Sequence, residues 1–295
     1  MAKKSDKAAK PVERFKSAEV VKTAEGRQYH VGTKPGDVAP FVMLVGDPAR
    51  AHKVAKRFKN PRPPIQSREY VTITGDYDGE LVTVTATGIG TDNTEIAVIE
   101  LTQCVEALPG APLPTFVRVG SCGALQDDMK IGDLAISTGA VKLEATSSYF
   151  VPEGYPSVAH HEVVLALIEG AAKTGTRHHV GLTATACGFY GAQSRNVPGF
   201  PPRDPDAPTR LAKMGVKNFE MEASLLFTLA QLRGLRAGAV CAVYASRTEN
   251  QFVDTETKEK AEAACIECGL EAIKVLRRMD KARGSAPRWR PGLGI

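Results

Sequence analysis

An α/β fold built on a mostly parallel, covered sheet is predicted by three observations. Short β-branched runs alternate with amphipathic helical patterns along the chain. Glycine turns follow several of those runs, as strand-to-helix junctions require. The 295 residues, 43% of them hydrophobic, suffice for one large domain with a substantial core or for two small ones.

The elements follow in order. Residues 1–27 form a basic extension without the apolar stretch of a secretory signal. A polar segment, Gln28–Pro35, leads to a strand over Phe41–Val45 and a turn at Gly46–Arg50. Pro48 suits the first turn of a helix, and Arg50 near its start makes, with the helix N–H groups, an anion site. After the proline-rich loop Asn60–Pro64, strands are predicted over Ser67–Tyr77 and Gly79–Thr87 with a turn at Asp76–Gly79. Gly88–Gly90 turns the chain into a helix, with Asp92 and Glu95 as its start box and Val98, Leu101, Val105 and Leu108 at helical spacing. A linker, Pro109–Pro114, precedes Phe116–Ala124, a buried strand running into a glycine turn with Arg118 inside it.

Further strands are predicted near Asp133–Ser137, His179–Ala186 and Ala237–Ala245, with a helix near Glu162–Lys173. The loop Asn196–Thr209, rich in Pro and Asp, is long enough for a lid. A helix over Lys258–Met279, with Ile266, Leu270, Ile273 and Leu276 on one face, closes the domain at about residue 280 and leaves a basic tail, 281–295.

Charge and cysteine usage exclude several classes. The net charge of +5 comes from the ends: residues 1–16 carry +4 and residues 281–295 another +4, leaving the body at −3. Solvated tails fit this better than a nucleic-acid-binding core. No run approaches the roughly 18 apolar residues of a membrane span. Cys104, Cys122, Cys187 and Cys241 sit in contexts typical of reduced, buried thiols, which points to a cytoplasmic compartment. Cys265 and Cys268 form a lone C-x-x-C in a helical pattern, with no second pair to complete a metal site, and read as helix-flank cysteines.

Three groups of residues could carry chemistry. Arg50, Arg68 and Arg118 suit a phosphate dianion through charge-assisted bonds, although a buried Arg118 could equally pair with one of the chain's own carboxylates. In Asn218–Ala223, Glu220 and Glu222 flank Met221 where a helix begins; a carboxylate there complements the helix dipole or grips two vicinal hydroxyls. In Phe189–Arg195, an aromatic ring, the Gln193 amide and the Arg195 guanidinium suit a flat heterocycle, where the alternative is a surface loop.

With phosphate, pentose and base thus in view, the chain resembles the nucleoside phosphorylases of the trimeric/hexameric branch, most closely the uridine-cleaving group. The matching segments are His30–Gly32, Val45–Arg50, Ser67–Tyr70, Thr87–Gly90, Arg118–Ala124, Phe189–Arg195, Asn218–Glu222 and Ser246–Thr248, in family order over roughly residues 28–278. The resemblance implies a single α/β domain with a twisted, mixed central sheet flanked by helices. It implies phosphate binding by Gly46, Arg50, Arg118 and Ser121, with Arg68 from a neighbouring subunit. Ribose would be met by Ser121, Met221, Glu222 and the neighbour's His30. Uracil would lie on Phe189 between Gln193 and Arg195, with Cys122 and Glu220 lining the pocket and Arg247 orienting the loop. Arg118, Gln193, Arg195 and Glu222 would act on the reacting atoms. No metal or organic cofactor is implied for the chemistry; inorganic phosphate is the co-substrate. Dimers or hexamers with shared sites are implied, and neither nucleic acid nor membrane is a partner.

The chain departs from the family at Ser121, which replaces Thr but keeps the hydroxyl, and at Cys122, which also replaces Thr. A monovalent-cation site at the dimer interface of some relatives uses Glu69, Ile89 and a Ser; the third position here is Asn93. The loop after Arg195 is short for the family and both termini are long. Rival readings are a purine nucleoside phosphorylase or a nucleosidase of the same fold. Arg247 stands where the bacterial purine branch has Asp, and Arg50 with Arg118 argues for phosphate over water. Neither Gly88-x-Gly90 nor Gly120-x-x-Gly123 completes a dinucleotide-binding G-x-G-x-x-G.

Overall fold

The computed structural model describes residues 17–295; the first sixteen residues of the N-terminal extension lie outside the described residues. In chain order, β1 (Phe41–Val45) leads into α1 (Pro48–Ala55), and β2 (Ile65–Ser67), β3 (Tyr70–Tyr77) and β4 (Glu80–Ala86) follow as antiparallel neighbours. Then come α2 (Thr91–Glu106), β5 (Thr115–Ala124), β6 (Leu134–Lys142), β7 (Ser157–Val158), α3 (His161–Thr174) and β8 (His178–Thr185). The chain continues through α4 (Ala207–Lys213), β9 (Asn218–Glu220), α5 (Ala223–Arg233), β10 (Arg236–Ser246), β11 (Gln251–Phe252) and α6 (Thr255–Arg283).

All eleven strands among the described residues join one mixed sheet that curls on itself. Strands β5, β10, β6, β8 and β9 pair around a ring, because β10 meets both β6 and β5 while β9 meets both β8 and β5. From the ring a wing extends through β1, β4, β3 and β2. β5 is therefore the hinge of the architecture, paired in parallel with β1 and β10.

Both faces of the central strands are buried, so these strands read as continuous apolar runs. In β1, Val42 and Leu44 pack under α2 and α5, while Met43 and Val45 pack with α1, α3 and α6. In β5, Phe116 joins the first face and Val117 and Val119 the second. By the same alternation Arg118 shares the face of Phe116, on which α5 begins.

Several expectations are corrected. The segment Phe116–Ala124 does not turn at its glycines; β5 continues through them to Ala124 because β10 pairs with it along that whole length. The strand expected over Ser67–Tyr77 breaks at Arg68, whose φ of 54° places it in the turn between β2 and β3. Asp92 and Glu95 do not cap α2: the helix starts at Thr91 after Gly90, and the Asp92 carboxylate accepts from the Thr146 hydroxyl at 2.5 Å. Cys265 and Cys268 lie on the buried face of α6 rather than on its flank. The residues of the basic C-terminal tail are mostly exposed, but one of them is anchored. α6 runs to Arg283, and Trp289 folds back into the core, its backbone N–H 3.3 Å from Glu162 Oε1. The loop beginning at Asn196 ends where α4 starts at Ala207, and the Ser194 hydroxyl ties it to the Asp204 carbonyl at 2.6 Å.

Candidate active site

A cleft of about 470 Å³ opens past the ends of β1 and β4, beside the middle of β5, where α1 and α5 begin. Gly46, Arg50, Gly88, Arg118, Ser121, Phe189, Met221 and Glu222 line it. Residues from the anion, sugar and base groups thus meet on one surface. The start of α1 contributes less than its sequence promised, because the Asp47 side chain already accepts the Ala49 N–H at 2.8 Å. What faces an anion there is the glycine turn and the Arg50 guanidinium.

Arg50 is 6% exposed. Its Nε lies 3.3 Å from Glu262 Oε2, its Nη1 donates to the Val119 carbonyl at 3.2 Å, and its Nη2 donates to the Tyr244 hydroxyl at 3.4 Å. Burial alone would lower its pKa; Tyr244, Cys265 and Glu262 outweigh burial and hold it above its ordinary value.

Arg118 is paired within the chain, the alternative that the sequence left open beside an external anion. Its Nε meets Glu220 Oε2 at 3.1 Å and its Nη2 meets Glu222 Oε2. Burial acts to lower its pKa, but Glu222 and then Glu220 overcome it, so the guanidinium stays charged. A guanidinium has five N–H groups, and the ion pairs leave donors for a ligand in the cleft. Gly120 makes this arrangement possible: a Cβ there would stand 2.8 Å from Arg118 Nη2 and 2.9 Å from Cys241 Sγ.

The two carboxylates divide their work. Glu220 is not on the cleft wall, contrary to its expected place beside the base. Its oxygens are taken by Arg118, by the backbone N–H groups of Glu222 and Ala223 at about 3 Å, and by the Thr185 hydroxyl at 2.5 Å. Glu220 thus caps the start of α5 and orients Arg118 together. Glu222 does face the cleft, where it accepts from Arg118 and from the Gly90 N–H at 2.7 Å. Gly90 has a φ of 96°, a conformation that favours glycine. Burial raises the Glu222 pKa, with Arg118 opposing and Glu220 adding to the rise.

The loop between β8 and α4 brings the base group together. Gln193 is buried, and its Oε1 accepts from Arg195 Nη1 at 2.7 Å. The Arg195 guanidinium lies 3.7 Å from the centroid of the Phe189 ring, and its Nη1 also donates to the Phe189 carbonyl at 2.8 Å. Arg247, just past β10, fixes the loop by donating to the Gln193 and Ser194 carbonyls at 2.9 and 3.4 Å. Burial, followed by the neighbouring charge of Arg247, lowers the Arg195 pKa to about 10. Phe189 also lines the cleft, so this loop adjoins the arginine-rich end.

Three expected residues stand apart. Cys122 packs with Ala124, Met129, Ala135, Cys241 and Val243 and is absent from the cleft wall; the Cys241 thiol and then burial push its pKa well up. His30 and Arg68 do not line this chain's own cleft. The His30 ring meets Glu100 Oε1 at 2.6 Å, and the Arg68 guanidinium lies 5.4 Å from the Tyr29 ring centroid. Asn93 and Glu69 both crowd Gly88, where an added Cβ would lie 2.6 Å from Asn93 Nδ2 and 3.2 Å from Glu69 Cγ. Among the described residues, no group of three His, Cys, Asp or Glu is placed to hold a metal ion.

Sequence reasoning missed Glu262, Tyr244, Thr185 and Glu100. Only Glu262 left a signal: it stands four residues before Ile266, in register with the apolar stripe of α6, where a carboxylate needs a buried partner.

Residues 40–277 match the family described as the Phosphorylase superfamily. The chain is 46% identical over 288 residues to a uridine phosphorylase of Thermococcus kodakarensis, covering 96% of this chain and 99% of that protein. It is 35% identical to a uridine phosphorylase of Escherichia coli, over 84% of this chain and 97% of the relative. A guanosine phosphorylase of Halorubrum lacusprofundi is 34% identical, over 85% and 99% of the two chains.

Proposed function

Since the chain belongs to the phosphorylase superfamily, we propose that it is a pentosyltransferase that cleaves the N-glycosidic bond of uridine with inorganic phosphate, giving uracil and ribose 1-phosphate. Its place is in pyrimidine salvage and nucleoside catabolism. The observation that carries the reading is the Gln193–Arg195 pair, 2.7 Å apart and adjoining, through Phe189, a cleft with two buried arginines.

Phosphorolysis develops positive charge on the sugar and negative charge on the departing base. Phosphate held by Gly46, Arg50, Arg118 and Ser121 attacks one face of the anomeric carbon while the base leaves from the other. Positioning of the dianion supplies much of the rate. Glu222 and Met221 hold the ribose, and the Glu222 carboxylate stabilises the cationic sugar. Gln193 and Arg195 stabilise the uracil anion as preorganised donors stabilise an oxyanion. The Arg195 pKa of about 10 keeps it cationic at neutral pH. The reaction draws on no organic cofactor in this reading.

Because His30 and Arg68 lie away from this chain's cleft, the reading includes a homo-oligomer in which both serve a neighbour's site. Five of the six free cysteines are buried, in keeping with a reducing cytoplasmic compartment. No helix among the described residues is long and apolar enough to cross a membrane.

The guanosine phosphorylase among the relatives makes purine cleavage the competing reading. A panel of uridine, inosine and guanosine with saturating phosphate separates the two: uridine turns over fastest in the uridine reading, and inosine or guanosine turnover at or above that rate contradicts it.

A further inference from the structure

Glu262 is a carboxylate set into the apolar face of α6, 4% exposed and far in sequence from every segment that marks the cleft. A hydrophobe would serve the packing of that stripe at least as well, since buried ion pairs are weak contributors to stability. Its partners indicate another use. Oε2 takes Arg50 Nε at 3.3 Å and the Tyr244 hydroxyl, which donates at 3.3 Å. The same hydroxyl accepts from Arg50 Nη2, and the Val119 carbonyl accepts from Nη1. Three of the five Arg50 N–H groups are thereby committed, which fixes the guanidinium plane and leaves one hydrogen on each Nη for a ligand in the cleft.

The charges around the cleft make Arg50 the important anchor. Arg118 sits between two carboxylates, so that cluster carries no excess of positive charge. At Arg50 the single carboxylate is shared with the half-exposed Lys53, whose ammonium pairs with Glu262 Oε1. That cluster keeps a net charge of +1 beside the cleft. Burial works to raise the Glu262 pKa, yet Lys53 and Arg50 hold it below its ordinary value, so the carboxylate is ionised.

We infer that Glu262, with Tyr244, is a positioning residue that aims the Arg50 guanidinium at the phosphate co-substrate. The inference rests on the reading of the cleft as a phosphorolysis site. It also distinguishes aim from charge by sign. Removing the negative charge of Glu262 raises the local positive charge, so a purely electrostatic role makes phosphate bind more tightly; a positioning role makes it bind more weakly.

The test is calorimetric binding of inorganic phosphate to the full chain, together with kcat/KM for phosphate and KM for uridine. In Glu262→Gln and in Tyr244→Phe, phosphate binding and kcat/KM for phosphate fall about tenfold, the loss of one charge-assisted contact, while KM for uridine is unchanged. Glu267→Gln, which breaks the exposed pair between Glu267 of α6 and Arg57 just past the end of α1, keeps all three values. Unchanged or tighter phosphate binding in Glu262→Gln overturns the inference. If that variant does not fold, unchanged binding in Tyr244→Phe, which alters no charge, overturns it; so does absence of phosphate binding by the unmodified chain. Phosphate binding without uridine turnover counts against the functional reading alone.

Discussion

Glu220 Oε2 lies 3.1 Å from Arg118 Nε and 2.9 Å from the backbone N–H of Glu222. One buried oxygen therefore sets both the arginine that faces the anion and the residue that faces the sugar. Glu220→Ala removes this oxygen and leaves Arg118 buried with one carboxylate fewer. The expected loss of stability is about 3 kcal/mol, in the range for a broken buried pair, read from urea unfolding. Glu220→Gln, which keeps an acceptor for the backbone, is expected to lose less. A Glu220→Ala chain as stable as the unmodified one would place the organisation of α5 elsewhere.

The Arg247 guanidinium donates to backbone carbonyls of the base loop, at Gln193 and Ser194. Its effect is accordingly expected on the nucleoside and not on phosphate. In Arg247→Ala the KM for uridine rises about tenfold, equivalent to about 1.4 kcal/mol of lost loop order, and the KM for phosphate stays constant. Steady-state kinetics with each substrate varied in turn checks the split.

Arg195 gives the pH dependence. Its folded pKa of about 10 lies below the ordinary arginine value, first because it is buried and then because Arg247 is near. The charged form is thus a cost to folding across neutral pH, a cost relieved as pH rises through about 10 toward the ordinary arginine value. For activity the sign is opposite: the cation is needed for the uracil anion, so kcat/KM for uridine falls as pH rises through about 10. The pH profile of Arg195→Gln is expected to be lower throughout and to lack that step.

Much of the arrangement was legible in the sequence, because the chemistry sits at strand ends where local patterns are strongest. Gly46, Arg50, Met221 and Glu222 follow short strands, Arg118 and Ser121 lie within β5, and all six line one cleft. β1 begins and ends where its apolar run does. What was hidden depends on partners far apart in the chain: Arg118 and Glu220 are 102 residues apart, and Arg50 and Glu262 are 212 apart. Local spacing marks each of these residues as costly to bury but does not say which other residue answers it. The start of α2 was misread for the same reason, because the Gly90 N–H is taken by Glu222, 132 residues away. Trp289 was read with the basic residues around it, although its indole is the part that packs into the core.

Phosphate is the attacking group in the proposed reaction, and one measurement reaches it directly: uracil release from uridine by the full chain, with and without inorganic phosphate, and with the sugar product identified. Release that requires phosphate and yields ribose 1-phosphate is the result expected from Arg50 and Arg118 beside the cleft. Release at the same rate without phosphate, yielding free ribose, would contradict it.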